Sequence, residues 1–259
     1  MYDLHSHILP NVDDGAKTQS DTMEMLRVAA SDGTKIILAT PHRKDITERW
    51  SIPHIQELAS NANKAIEEEG LNLTLLLGME NHLDIDLPRE VEEGRALTIN
   101  SSKYILVEMP WFGRPIYIDQ VLFEIQAMGL TPILAHPERL EIFQSDPEFL
   151  VNLVERGMLT QITAGSLLGY FNRNVRKFTV QLFKNNLVHI LASDCHFSAG
   201  TRSPKLSPGF DAAVKLVGYD RAAKMVIDLP KAILNDQTVS PPIPESNVKW
   251  NKNWWEFWL

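Results

Sequence analysis

A chain of 259 residues, 44% hydrophobic and 22% charged, is the size and composition of one large soluble α/β domain. A net charge of −8 and an isoelectric point near 5.5 count against nucleic acid as the main partner, because phosphate backbones attract basic surfaces. A single cysteine, Cys195, excludes an intramolecular disulfide and a cysteine-rich zinc site.

In chain order, seven strand-like runs fall at 2–5, 35–40, 73–79, 104–108, 131–135, 159–163 and 187–193. Most are continuous Val/Ile/Leu stretches, as expected of strands buried on both faces. Helical patterns at 20–31, 53–69, 117–128, 146–156, 172–186 and 208–217 separate or follow them, several ending at a glycine. Strand–helix alternation at this spacing predicts a parallel sheet, and functional groups at the strand ends favour a closed or nearly closed barrel over an open sheet. No glycine-rich nucleotide fingerprint follows the first strand. Asp3, His5 and His7 interrupt any signal-peptide start, and no apolar run is long enough to span a bilayer, so the expected location is cytoplasmic.

Six of the seven runs close on residues that bind metals. His5 and His7 end the first, His42 follows the second, and Glu80 and Glu108 end the third and fourth. His136 follows the fifth, Asp194 and His196 the last, and Asp14 lies in the first loop. One histidine at a strand end is most often a structural hydrogen-bonding residue; the weight here comes from nine candidates that a barrel rim would gather. His5 and His7, two apart on a strand, point the same way, and Asp3 shares their parity as a carboxylate able to orient a ring nitrogen. Imidazole and carboxylate without thiolate suit manganese, iron or zinc, and nine candidates imply two or three ions. His54 and His189 read as structural, and His82, two beyond Glu80, reads as marginal. Arg139 and Arg202, close behind His136 and His196, suit a bidentate grip on phosphoryl oxygens. Cys195 is a poor nucleophile candidate, since six residues separate it from Arg202 where cysteine phosphatases have five, and its parity turns it away from its neighbours.

The chain divides into a catalytic unit over 1–239 and a tail over 240–259. The segment from Ser240 to Pro244 reads as a stiff linker. Beyond it lie Trp250, Trp254, Trp255, Phe257 and Trp258, an aromatic set suited to a membrane surface or partner, or to folding back over a groove of its own barrel.

These residues resemble the polymerase and histidinol phosphatase (PHP) superfamily of metal-dependent phosphoesterases, over roughly 1–235. The markers are Asp3-Leu4-His5-Ser6-His7, Asp13-Asp14-Gly15, Thr40-Pro41-His42, Gly78-Met79-Glu80, Val107-Glu108-Met109, His136-Pro137-Glu138-Arg139 and Asp194-Cys195-His196. Within the superfamily the chain is similar to the bacterial tyrosine-protein phosphatases of capsule and exopolysaccharide operons. The resemblance implies a distorted seven-stranded, TIM-like β/α barrel and a metal-dependent protein-tyrosine phosphatase. Its implied site has two or three divalent ions, usually manganese, with iron, zinc, cobalt or magnesium as alternatives. Carried over, His5, His7, Glu80 and Asp194 hold one ion, Glu80, Glu108 and His136 a second, and Asp14, His42 and His196 a third. A hydroxide bridging two ions would attack phosphorus while Arg139 and Arg202 neutralise the phosphoryl oxygens. The implied partner is a bacterial tyrosine kinase, with a peripheral position at the inner membrane face if the tail docks there. Phosphatase activity on a small molecule of the histidinol phosphate type, or phosphodiesterase activity on nucleic acid, is the alternative.

Overall fold

A computed structural model describes residues 1–240 together with Pro244 and Trp250. Its strands are β1 (Tyr2–Ser6), β2 (Ile36–Ala39), β3 (Thr74–Leu77), β4 (Glu80–His82), β5 (Tyr104–Glu108), β6 (Thr131–Ala135), β7 (Leu159–Thr163) and β8 (Ile190–Ala192). The first seven helices are α1 (Gln19–Ser31), α2 (Arg43–Arg49), α3 (Ile52–Glu68), α4 (Leu87–Glu92), α5 (Ile118–Ala127), α6 (Glu141–Ser145) and α7 (Pro147–Glu155). There follow α8 (Ala164–Leu168), α9 (Arg173–Lys184), α10 (Ser207–Val217), α11 (Tyr219–Ala223), a π-helical turn (Lys224–Asp228) and α12 (Leu229–Leu234).

All strand pairs are parallel, in a three-stranded sheet ordered β1-β2-β3 and a five-stranded sheet ordered β4-β5-β6-β7-β8. Where a single seven-stranded barrel is expected from the sequence, the described residues form an α/β fold with eight strands in two parallel sheets. The difference arises in the run 73–79. Gly78 packs so close to its neighbours that an added Cβ would lie 3.1 Å from the Leu38 side chain and 3.3 Å from the Thr98 carbonyl. The chain leaves β3 there, and Glu80 starts a new strand whose partner is β5. The buried Asn81 fixes that strand by donating to the carbonyls of Met79, Leu97 and Leu106. Isolated bridges join the sheets on both sides, between Ser6 and Cys195 and between His42 and Glu80.

Continuous apolar strands bury both faces, as parallel sheets flanked by helices require. One core lies between the sheets and draws on both: Leu4 and Leu38 pack with Leu106, Ile133, Leu159 and Ile190. Ile233 and Leu234 of α12 join this core, and the Tyr104 hydroxyl ties the following segment down by donating to the Gln237 carbonyl at 2.8 Å. A second core lies outside the three-stranded sheet under α1 and α3, and a third outside the five-stranded sheet under α5, α7 and α9. The helices start where local chemistry allows. Thr18 and Asp21 cap α1 reciprocally, each side chain accepting from the other's backbone N–H, and Ser51 with Pro53 opens α3.

Trp250 of the tail is half-buried against its own chain: its indole N–H donates to Glu148 at 2.7 Å and its ring lies 5.9 Å from Phe178. That contact agrees with a fold-back of the tail at this residue. Trp254, Trp255, Phe257 and Trp258 lie outside the described residues. Among the described residues, no helix is long and apolar enough to cross a membrane.

His189, just before β8, is fully buried, and its Nδ1 accepts from the Thr160 backbone N–H at 2.9 Å while Nε2 has no partner. Burial, helped by the charge of Arg221, pulls its pKa down to about 4. The unfolded chain, with a histidine pKa near ~6.5, therefore binds more protons between about pH 6.5 and 4, and folding stability is lost as pH falls through that window. By pH 4 the loss from this one group reaches about 3 kcal/mol. A His189→Gln variant, whose amide oxygen can accept the same hydrogen bond, is expected to show a flatter fall in urea-unfolding free energy over this range. Parallel curves for the two proteins would show that His189 contributes nothing to acid sensitivity.

Candidate metal centre

The nine predicted residues meet at one end of the strands. His5 lies on β1 and His7 just beyond it; His42 caps α2, Glu80 opens β4 and Glu108 closes β5. His136 and Asp194 follow β6 and β8 with left-handed φ values of 34° and 50°, a conformation uncommon outside glycine and frequent at functional turns. Seven of the nine are buried; Asp14 is exposed and His42 half-exposed.

Glu80 is the hub. Its Oε2 lies 3.1 Å from His42 Nδ1 and 3.3 Å from both His5 Nε2 and His7 Nε2. Its Oε1 lies 2.8 Å from His136 Nε2, itself 3.7 Å from Glu108 Oε1. Asp14 Oδ1 lies 3.1 Å from His196 Nε2 and 3.5 Å from His42 Nε2. Asp194 Oδ1 sits 3.6–3.7 Å from His5, His7 and His196. Three groups have ligand atoms close enough to share an ion: His7 with Asp14, His42 and His196; His5 with His7 and Glu80; and His42 with Glu80 and Glu108.

The donor set fits cations. His5 Nε2 and His7 Nε2 face each other at 3.2 Å with a carboxylate oxygen beside both. Nitrogen lone pairs and carboxylates converging this closely in a buried place repel unless positive charge sits among them. In the protein alone that charge comes from protons. Burial disfavours charge on His7, but its pairing with Asp13 prevails and lifts it to about 9. Burial likewise opposes charge on His42, and bonds to Asp14 and Glu80 overcome it, to about 12. Burial alone would raise Glu80, yet the surrounding imidazoles hold it well below the usual carboxylate range. Metal ions bind the same lone pairs and would displace those protons.

Residues behind the ligands orient them. His5 Nδ1 is 2.7 Å from Gln161 Oε1, and His7 Nδ1 is 2.7 Å from Asp13 Oδ2, which fixes both tautomers so that Nε2 points inward. Asp3 does not take the part its parity suggested. It accepts instead from the backbone N–H of Ser193 at 3.0 Å and of His5 at 3.4 Å, and burial raises it to about 6. Gly15 explains the Asp13-Asp14-Gly15 turn: an added Cβ would fall 1.9 Å from the His7 carbonyl oxygen. Buried Glu138 accepts from Ser166 Oγ at 2.5 Å and from the Thr163 N–H at 3.0 Å, anchoring the turn that carries His136 and Arg139.

The cleft over these ligands has a volume of about 320 Å³, and Trp111, Arg139 and Arg202 join its lining. Both arginines bond to Asp194, Arg139 at 2.5 Å and Arg202 at 2.9 Å. His82 contacts Glu108 at 3.5 Å and belongs to none of the three ligand groups. His54 stacks on Trp50, away from the cleft. Cys195 is buried with Ile8 and Met25 in the core under α1, and burial pushes its thiol well above the usual range.

Asp13, Gln161, Glu138 and Trp111 are the site residues that sequence reasoning gave no role. Asp13 and Glu138 stand inside quoted motifs; for Gln161 and Trp111 the chain carries no local signal.

The sequence compares well with a defined set of proteins. It is 34% identical over 251 residues to the tyrosine-protein phosphatase YwqE of Bacillus subtilis (strain 168), covering 96% of this chain and 98% of that one. It is 27% identical over 244 residues to the tyrosine-protein phosphatase CpsB of Streptococcus pneumoniae, covering 92% and 100%. A solved structure described as one of the metal-dependent tyrosine phosphatases YwqE and CpsB superposes with a TM-score of 0.86 at 33% identity, over 95% of this chain and 100% of that one. The sequence profile of the capsular polysaccharide synthesis CpsB/CapC family matches residues 1–235, and the chain belongs to that family.

Proposed function

We propose that this protein is a metal-dependent protein-tyrosine phosphatase acting on a bacterial tyrosine kinase of capsule or exopolysaccharide synthesis. The observation that carries the reading is the convergence of His5, His7, His42 and His136 on Glu80, with two arginines alongside, in a chain similar to YwqE and CpsB over nearly its whole length. We read the two sheets as halves of a distorted PHP-type barrel, because the Ser6–Cys195 and His42–Glu80 bridges connect them at both seams. Residues 1–239 form the catalytic unit and 240–259 the linker and tail.

His5, His7, Glu80 and Asp194 would hold one ion, Glu80, Glu108 and His136 a second, and Asp14, His42 and His196 a third, with manganese preferred by the nitrogen and oxygen donors. Bound divalent ions supply an acidified water and positive charge for the phosphoryl group. The protein's own contribution is to hold that group in place. Arg139 and Arg202 each use one side of the guanidinium on Asp194 and keep further N–H donors, and the buried Arg202 Nε has no other partner. A tyrosyl leaving group, with a phenol pKa near about 10, departs without a strong general acid. Cys195, buried and un-ionised, takes no part.

Turnover measured side by side on a phosphotyrosine peptide, histidinol phosphate and single-stranded DNA tests the reading; preference for either of the latter would replace it. A chelator should abolish phosphotyrosine turnover and added manganese restore it, while Cys195→Ser remains near the parent rate. Loss of turnover in Cys195→Ser, with none on chelation, would mean a thiol mechanism.

A further inference from the structure

Among the described residues, every one lining the cleft is ionisable except Trp111. Trp111 follows β5, three residues after Glu108, and is held on several sides. Its indole N–H donates to Glu108 Oε1 at 2.9 Å, its ring lies at 28° to His136 with centroids 5.6 Å apart, and the Arg139 guanidinium sits 5.0 Å from its ring centre. Even so, 36% of the residue remains exposed. The Arg139 guanidinium also lies 4.4 Å from the Phe171 ring centre, and Phe197, beside His196, is more than half exposed. The centre thus has an ionic floor and an aromatic rim.

From this geometry we infer that Trp111 is the specificity-determining residue for the group carrying the phosphate, its indole packing against the phenyl ring of phosphotyrosine. The inference rests on the phosphatase reading above and deepens it. A phosphate seated among the metal ligands and arginines leaves its ester substituent at the height of this rim. A phenyl ring presents a flat face to the fixed indole, and aromatic pairs gain beyond simple burial. The serine side chain of phosphoserine has one methylene and cannot make that contact. Because Trp111 is already pinned by Glu108, His136 and Arg139, little freedom is lost when the ring arrives.

The test uses the manganese-loaded full chain and two non-hydrolysable phosphonates, phenylphosphonate and methylphosphonate, with binding measured by calorimetry. Trp111→Phe and Trp111→Leu both remove the indole N–H, so any loosening of Glu108 is common to them, and metal content is measured for each. The parent and Trp111→Phe should prefer phenylphosphonate by about tenfold, and Trp111→Leu should lose most of that preference through the phenyl ligand alone. Equal weakening of both ligands in Trp111→Leu, or an unchanged preference, would overturn the inference. Phosphotyrosine turnover by the parent is recorded separately. If it is present without any phenyl preference, the specificity assignment alone fails; if it is absent, the phosphatase reading fails whatever the phosphonates show.

Discussion

Glu80→Gln should lose bound metal and turnover together, with activity falling by more than about a hundredfold, beyond the 10–100-fold typical of residues that only support ligands. Glutamine preserves the shape of the side chain but removes the negative charge on which four imidazoles converge, at 2.8 Å from His136, 3.1 Å from His42 and 3.3 Å from His5 and His7. The amide also introduces an NH₂ that cannot bind a cation and must point at one of those ring nitrogens. Glu108→Gln is the useful comparison. Glu108 lies at the edge of the cluster, bonded to Trp111 and near His82 and His136, so its loss should empty one position and spare the others. Metal analysis after desalting, alongside phosphotyrosine turnover, separates the two. A Glu80→Gln protein with full metal and near-parent rate would remove Glu80 from the centre of the site.

The contrast between Glu80 and its helpers shows what the sequence made legible. A ligand-type side chain directly after a buried apolar run can be read one strand at a time, and parallel strands ending on one side bring such residues together without further information. Gln161 cannot be read this way. It lies inside β7, a run with no ligand at its end, and gains its role only because β7 brings it 2.7 Å from His5. Asp3 fails for the opposite reason: it has the right parity, but the backbone N–H groups of Ser193 and His5 compete for its carboxylate. The break between β3 and β4 was hidden because Gly78-Met79 continues an apolar run, and the close approach of Leu38 and Thr98 to Gly78 at the break involves residues distant in sequence. The helices over 219–234 escaped because they are short, pass through a π-helical turn and contain Pro230, so no sustained 3.6-residue pattern marks them.

Arg139→Ala and Arg202→Ala should each lower turnover efficiency at least about tenfold, since a charged hydrogen bond is worth roughly 1.5–3 kcal/mol. Their bonds to Asp194 add a second role. Asp194 is fully buried in a left-handed turn; burial pushes its carboxyl up, but His5 and then the two arginines prevail and hold it below the usual carboxylate range. Removing one arginine leaves Asp194 the other arginine and nearby imidazoles, so the carboxylate is not stranded and the fold should lose little. The arginines differ in setting: the Arg139 guanidinium lies near both the Phe171 and the Trp111 rings, at 4.4 and 5.0 Å, whereas Arg202 lies on the loop after β8. Arg139→Ala should therefore cost more stability through lost packing, and Arg139→Lys should recover charge but not the flat stacking surface. Inhibition by inorganic phosphate separates grip on the substrate from support of Asp194. If the arginines hold the phosphoryl group, phosphate inhibits each alanine variant at least about tenfold less well while metal content stays at the parent level. If they serve only Asp194, phosphate inhibition is unchanged wherever metal is retained, and the loss of activity follows the loss of metal.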